Sequence, residues 1–182
     1  EPGGVKLFDA ESLALLAEIP ATYGTAGKRA KVVGIADAPG NRFVCVLIEA
    51  GEIWIIDASR PDFPIEHRIK TGQSSPYDAM ITPDGRTYVV GHMKSDRVSV
   101  LDLTRPEAGV RGVSLRDPAT PYEQGTPVKL PHLASWAVAG KWIFVPLVGE
   151  KRLAVLDRET FAFERSIPVR GHPVYAVRSP SE

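Results

Sequence analysis

Four short runs of β-branched, aliphatic and aromatic residues, at 5–9, 53–57, 98–102 and 153–157, each end on an aspartate: Asp9, Asp57, Asp102 and Asp157. Successive aspartates are 48, 45 and 55 residues apart. That is the length of a four-stranded propeller blade and too long for a leucine-rich or helical-pair unit. The pattern predicts an all-β chain, a fragment of about four YVTN/WD40-like blades of a β-propeller. We name the strands of a blade A to D from the central channel outward.

Residues 1–20 are expected to form a partial blade, with strands C and D at 5–9 and 13–19. Residues 12–19 alone would pass for an amphipathic helix, because Leu13, Leu16 and Ala17 have helical spacing, but the repeat register overrules that local reading. A full blade at 31–70 takes strands 32–36, 42–48, 52–57 and 65–70. The next, at 77–116, takes 77–82, 87–91, 97–102 and 112–116, with Pro83-Asp84-Gly85 as a turn in which proline presets φ and glycine accepts a positive one. A further blade at 134–168 takes 135–138, 142–147, 152–157 and 162–168, and 172–177 repeats the strand A pattern as the first strand of another. The segment 117–130 holds Pro118, Pro121, Gly125 and Pro127 without a strand pattern, and reads either as a flap over one face or as a solvated insertion. An open stack leaves apolar edges. Membership of a larger ring, pairing of two copies, or closure into a small four-bladed ring would each cover them, and the first is favoured.

Composition narrows the function classes. Lys plus Arg and Asp plus Glu number 22 each, so no overall field draws in nucleic acid, and any anion site must be a local cluster. No apolar stretch approaches a membrane span. The single Cys45 lies inside an apolar run and reads as a small buried hydrophobe. Residues 1–4 show no basic-then-apolar order, so no signal peptide is expected within this chain. There is no Cys pair, His-Glu helix motif or Gly-x-Ser-x-Gly elbow, which leaves zinc-site and classical hydrolase chemistry without support. A cluster of inward carboxylates, as a metal-dependent sugar or lactone enzyme needs, is not visible either; Asp84 is better explained by its turn.

The B-to-C and D-to-A connections of a blade open on the same face of a propeller. His92 is expected in such a B-to-C turn, and His132 and His172 just before two A strands, so three of the four histidines converge on one mouth while His67 sits near an outer strand. Neutral imidazole is a good iron ligand, and a mouth can hold a flat macrocycle. Histidine is also simply tolerated in exposed loops. Lys28, Arg29 and Lys31 lie in a glycine-containing connection on that face, suited to carboxylates or phosphates or merely solvated; the spacing is not that of a P-loop. Tyr77 and Trp136 each begin an A strand, where they could lie against a planar ligand or pack between blades.

The segments 1–9, 27–34, 51–54 and 76–79, with Pro131-His132-Leu133 and Trp136 in 129–140, resemble the NirF family of haem d1 biosynthesis proteins, relatives of the d1-haem domain of cytochrome cd1 nitrite reductase. The resemblance implies an eight-bladed periplasmic propeller that binds haem d1 or a dihydro-haem d1 precursor, an iron tetrapyrrole. It implies a late maturation or oxidoreductase-type step, with nitrite reductase and other haem d1 maturation proteins as partners. Gly91-His92-Met93-Lys94-Ser95-Asp96 departs from that family toward the distal turn of the nitrite reductase domain. The second distal histidine is absent near Ser75-Pro76, and the proximal ligand would lie before Glu1. His92 is therefore expected to move protons or contact iron, and Lys28, Arg29 and Lys31 to engage the macrocycle's carboxylates. Two rival readings are a non-catalytic propeller scaffold and a d1-haem-binding oxidoreductase domain related to nitrite reductase.

Overall fold

A computed structural model describes residues 3–73, 75–93, 95–119 and 136–179. The described chain is a row of antiparallel sheets in chain order. Strands β1 (Gly4–Phe8) and β2 (Leu15–Pro20) form a two-stranded sheet, and β3 (Thr22–Tyr23) and β4 (Lys28–Arg29) a small hairpin. Three four-stranded sheets follow. The first holds β5 (Val32–Ala38), β6 (Arg42–Leu47), β7 (Glu52–Asp57) and β8 (Ile65–Lys70); the second β9 (Pro76–Ile81), β10 (Thr87–His92), β11 (Arg97–Asp102) and β12 (Val110–Ser114). The third holds β13 (Ala137–Ala139), β14 (Trp142–Leu147), β15 (Arg152–Asp157) and β16 (Phe163–Pro168). Each sheet is an up-and-down meander, which is the propeller blade expected from the repeat. Among the described residues no helix is long and apolar enough to cross a membrane.

The continuous apolar runs follow from burial on both faces. In β6, Val44 and Val46 face the second full blade with Ile53 and Ile55 of β7, meeting Tyr88, Val90 and Leu101. Cys45 and Leu47 turn the other way, with Trp54 and Ile56, onto Val5 and Leu7 of the two-stranded sheet. Val89, Val98 and Val100 of the second blade meet Ile143, Val145 and Leu147 of the third. A strand between two neighbours therefore has no polar side, as in parallel sheets covered on both faces. Burial also pushes the Cys45 thiol up to about 12, so it stays protonated and inert.

One junction is set by a missing side chain. Gly34 lies at φ +60, and a Cβ there would come within 2.7 Å of Ala79 Cβ. A β-bulge between Val33 and Ala36 brings its carbonyl to the Tyr88 hydroxyl, which donates to it from the next blade. Only glycine allows both the backbone conformation and the approach.

Three expectations change. The connection before β5 contains the β3–β4 hairpin, because Gly24 and Gly27 take positive φ and close a turn through Gly27 N–H to the Gly24 carbonyl, 3.2 Å. Residues 172–177 are not a strand: no second strand of the same blade lies beside them among the described residues to satisfy their backbone. β12 starts two residues earlier than expected, after a 3-10 turn at Pro106–Ala108. His132 and most of the proline-rich connection lie outside the described residues.

Candidate functional site at the mouth of the blades

The pairings Val32 with Leu47, Leu47 with Glu52 and Glu52 with Lys70 put the start of A, the end of B, the start of C and the end of D at one end of the blade. This end is the mouth. Backbone bonds tie its connections together in every full blade: Thr71 N–H to the Gly51 carbonyl (2.9 Å), Leu115 N–H to Asp96 (2.6 Å) and Val169 N–H to Lys151 (2.9 Å). The side chains at the mouth differ from blade to blade.

At the first blade the β3–β4 hairpin projects Lys28 and Arg29 into solvent, and Lys31 follows, also exposed. The loop is fixed by its backbone: Lys31 N–H donates to Glu49 Oε2 at 2.7 Å, and Ile48 N–H to the Lys31 carbonyl at 3.0 Å. Arg29 Nη1 is 3.5 Å from the Gly3 carbonyl. The cationic ends are thus anchored at their roots and open at their tips. Beneath them Glu52 accepts from Lys70 Nζ (2.8 Å) and Trp54 Nε1 (2.9 Å). Burial alone would raise the Glu52 carboxyl, but these two hydrogen bonds together with the charges of Lys70 and Arg68 outweigh it and hold it below its ordinary range.

At the second blade the structure corrects the expected placement of His92. Strand β10 runs through it, and the ring is fully buried inside the blade rather than open in a turn. Ser99 Oγ donates its single proton to the Thr71 carbonyl at 2.7 Å, so toward His92 Nε2, at 2.8 Å, it must accept. Nε2 therefore carries the proton, and its lone pair is not offered to a metal. The chain His92–Ser99–Thr71 ties Thr71 to strands β10 and β11, and Met93 N–H donates to the Ser75 carbonyl at 2.9 Å. Tyr77 follows in β9, half-buried.

At the third blade Trp136 packs against the core shared by the last two blades, as the inter-blade alternative held, yet its Nε1 is buried without a hydrogen-bond partner among the described residues. Glu150 of the B-to-C turn is in the same condition at Oε1. Its Oε2 holds Arg152 Nε at 2.6 Å, while Arg152 also donates to Ser166 Oγ (2.9 Å) and the Leu115 carbonyl (2.9 Å). His172, exposed, contacts the Val148 carbonyl through Nδ1 at 2.7 Å, which places it at this mouth as expected. His67 sits on the outer strand β8. Of the named candidates, Lys28, Arg29, Lys31, Tyr77, Trp136 and His172 lie at the mouth, and His92 lies inside the blade wall.

Sequence reasoning missed Glu49, Ser99, Thr71, Glu150 and Arg152. One signal was available for the last two, since an arginine opening an apolar strand has to be buried and buried arginine needs a carboxylate nearby.

The chain matches the Cytochrome D1 heme domain family over residues 1–182. It is 44% identical over 183 residues to Protein NirF of Pseudomonas aeruginosa and 42% identical over 182 to Protein NirF of Stutzerimonas stutzeri. The chain belongs to the Cytochrome D1 heme domain family. It covers 46% of each NirF, so it spans about half the length of these relatives. Among solved structures it is similar to dihydro-heme d1 dehydrogenase NirN in complex with DHE (TM-score 0.72, 21% identity, 96% of this chain and 35% of that one). It is also similar to the Myceliophteria thermophila Cps50 (Swd1) β-propeller domain (TM-score 0.66, 14% identity, 97% and 52%). At these identities the structural matches speak to the fold, which is a propeller segment.

The mouth suits an iron tetrapyrrole with acid side chains. The Trp136 indole N–H, with no acceptor among the described residues, and the three exposed cations of the basic loop are the groups that fit a ligand bearing carboxylates. Such a cofactor, when bound, supplies redox chemistry at its iron.

Proposed function

We propose that this chain forms the part of a haem d1 maturation protein whose mouth binds haem d1 or its dihydro precursor. The observation that carries the reading is the Trp136 Nε1 at the mouth, without a partner among the described residues, in a chain of the Cytochrome D1 heme domain family. Lys28, Arg29 and Lys31 take the macrocycle's acid groups, Tyr77 and Trp136 lie along its plane, and His172 stands at its rim. His92 acts behind this surface by fixing Thr71 through Ser99. The protein works in the periplasm at a late step of cofactor maturation, before delivery to nitrite reductase. The family match and the NirF relatives support the haem d1 part of this reading.

Reconstitution of the full-length protein with haem d1 tests the reading. A stoichiometric visible band is expected, and Trp136→Phe should weaken binding about fivefold, the worth of one hydrogen bond. A protein that takes up no tetrapyrrole would exclude the proposal. Lost stability with unchanged affinity in Trp136→Phe would leave that residue a packing role only.

A further inference from the structure

The other end of the blades carries a second cleft, far from the mouth in the sense that it is built wholly from A-to-B and C-to-D turns and the strands beside them. It lies between the last two blades and has a volume of about 640 Å³. That is within the range of small-molecule sites. Its floor is apolar, from Val100, Ala108, Val110 and Phe161, and four arginines reach its walls: Arg86, Arg105, Arg111 and Arg158.

These guanidiniums are not equally occupied. Asp102 Oδ2 takes both Arg86 Nη2 (3.0 Å) and Arg105 Nη2 (3.7 Å). Asp84 Oδ1 is spent on its own turn, accepting from Thr82 Oγ1 (2.6 Å) and Arg86 N–H (3.0 Å). Among the described residues Arg111 and Arg158 hydrogen-bond only to backbone carbonyls, Thr160 at 2.9 Å and Gly140 at 3.5 Å, and Arg158 feels the Asp84 carboxylate as a nearby charge without a direct bond to it. Arg111 comes from β12 and Arg158 from the turn after β15, so the two close the cleft from opposite blades. Of the three lining carboxylates, Asp102 is in ion pairs, Asp84 is held by its own turn, and Glu159 is exposed at the rim.

We propose that this cleft binds a small ligand that carries two or more carboxylates on an apolar body. The body covers the floor of Val110 and Phe161, and the acid groups reach Arg111 and Arg158, repeating on a ligand the fork that Asp102 already makes with Arg86 and Arg105. Glu159 at the rim repels such a ligand and sets the selectivity for its charge. Because the cleft opens away from the mouth, it can be filled whether or not the mouth is.

Calorimetric titration of the full-length protein with phthalate, an aromatic dicarboxylate, tests this. Saturable one-to-one binding is expected, weakened at least tenfold by combined Arg111→Gln and Arg158→Gln and tightened two- to threefold by Glu159→Gln. Lys28→Gln, on the mouth, should leave it unchanged. Absence of saturable binding, or binding indifferent to the two arginines, overturns the proposal. Binding lost in Lys28→Gln instead would assign phthalate to the mouth and likewise overturn it.

Discussion

The two ends of the blades are built by different rules. At the end away from the mouth the same side-chain device occurs four times: the aspartate closing strand C accepts from a hydroxyl and backbone N–H two or three residues on. Asp9 uses Ser12 (Oγ 2.7 Å), Asp57 Ser59 (2.6 Å), Asp102 Thr104 (Oγ1 2.6 Å) and Asp157 Thr160 (2.9 Å). At the mouth only backbone links repeat, and each blade carries its own polar set: Lys31 with Glu49, His92 with Ser99 and Thr71, Arg152 with Glu150. Repetition marks what every blade needs in order to turn, and variation marks where a ligand of fixed shape meets unlike walls. Asp102 is the exception at the regular end, since it also holds two guanidiniums, and the second cleft lies beside it.

The largest effect is expected where blades touch. Gly34→Ala forces a Cβ against Ala79 at a positive φ and should cost about 3 kcal/mol in urea unfolding; a wild-type midpoint would mean that the blade spacing is not set there. His92→Ala removes a buried ring and its bond to Ser99, at about 2 kcal/mol, without moving the absorption band of bound haem. A shifted band at full stability would instead put His92 on the metal. At the regular end Asp102→Ala should cost about 1 kcal/mol, in the range of lost caps, with tetrapyrrole affinity intact; an affinity loss would join the two ends functionally.

The same aspartates predict a pH dependence. Hydroxyl and backbone donors hold Asp9, Asp57, Asp102 and Asp157 below the usual carboxylate range, with Thr104 the first cause at Asp102 and the Thr160 N–H at Asp157. A carboxylate depressed on folding adds stability that is fully present above its unfolded value of about 3.9. That contribution disappears as pH falls through the folded values. Urea midpoints should therefore drop below about pH 4, less steeply in Asp102→Ala than in the unsubstituted chain; parallel profiles would show that Asp102 is not among the groups responsible. The smallest effect is expected at the open cations. Lys28→Gln, Arg29→Gln and Lys31→Gln together should lower haem affinity several-fold in low salt and little at high salt, because exposed charges are screened. A salt-independent loss would point to a buried contact instead.

Most strand positions were legible because each blade repeats an apolar run closed by an aspartate at intervals of similar length, and because the turn at Pro83-Asp84-Gly85 carries its own local chemistry. The basic loop was legible for the same reason, as a local charge cluster in a connection. His92 was misplaced because the run from Thr87 to His92 continues as strand by one residue, and a one-residue extension decides whether a ring stands in a turn or inside a sheet. Ser99 and Thr71 gave no signal, since their partners lie 7 and 28 residues away.

Repeat length, strand alternation, turn residues and the equal count of opposite charges are properties of neighbours along the chain, and they alone fix a blade and its two ends. Which polar atoms find partners is a property of neighbours in space. Only the packed blades decided that Trp136 Nε1 finds no partner among the described residues, that His92 is held by Ser99, and that arginines from two blades share one cleft. Hydrogen bonds and ion pairs act over a few ångströms, and folding chooses which residues come that close.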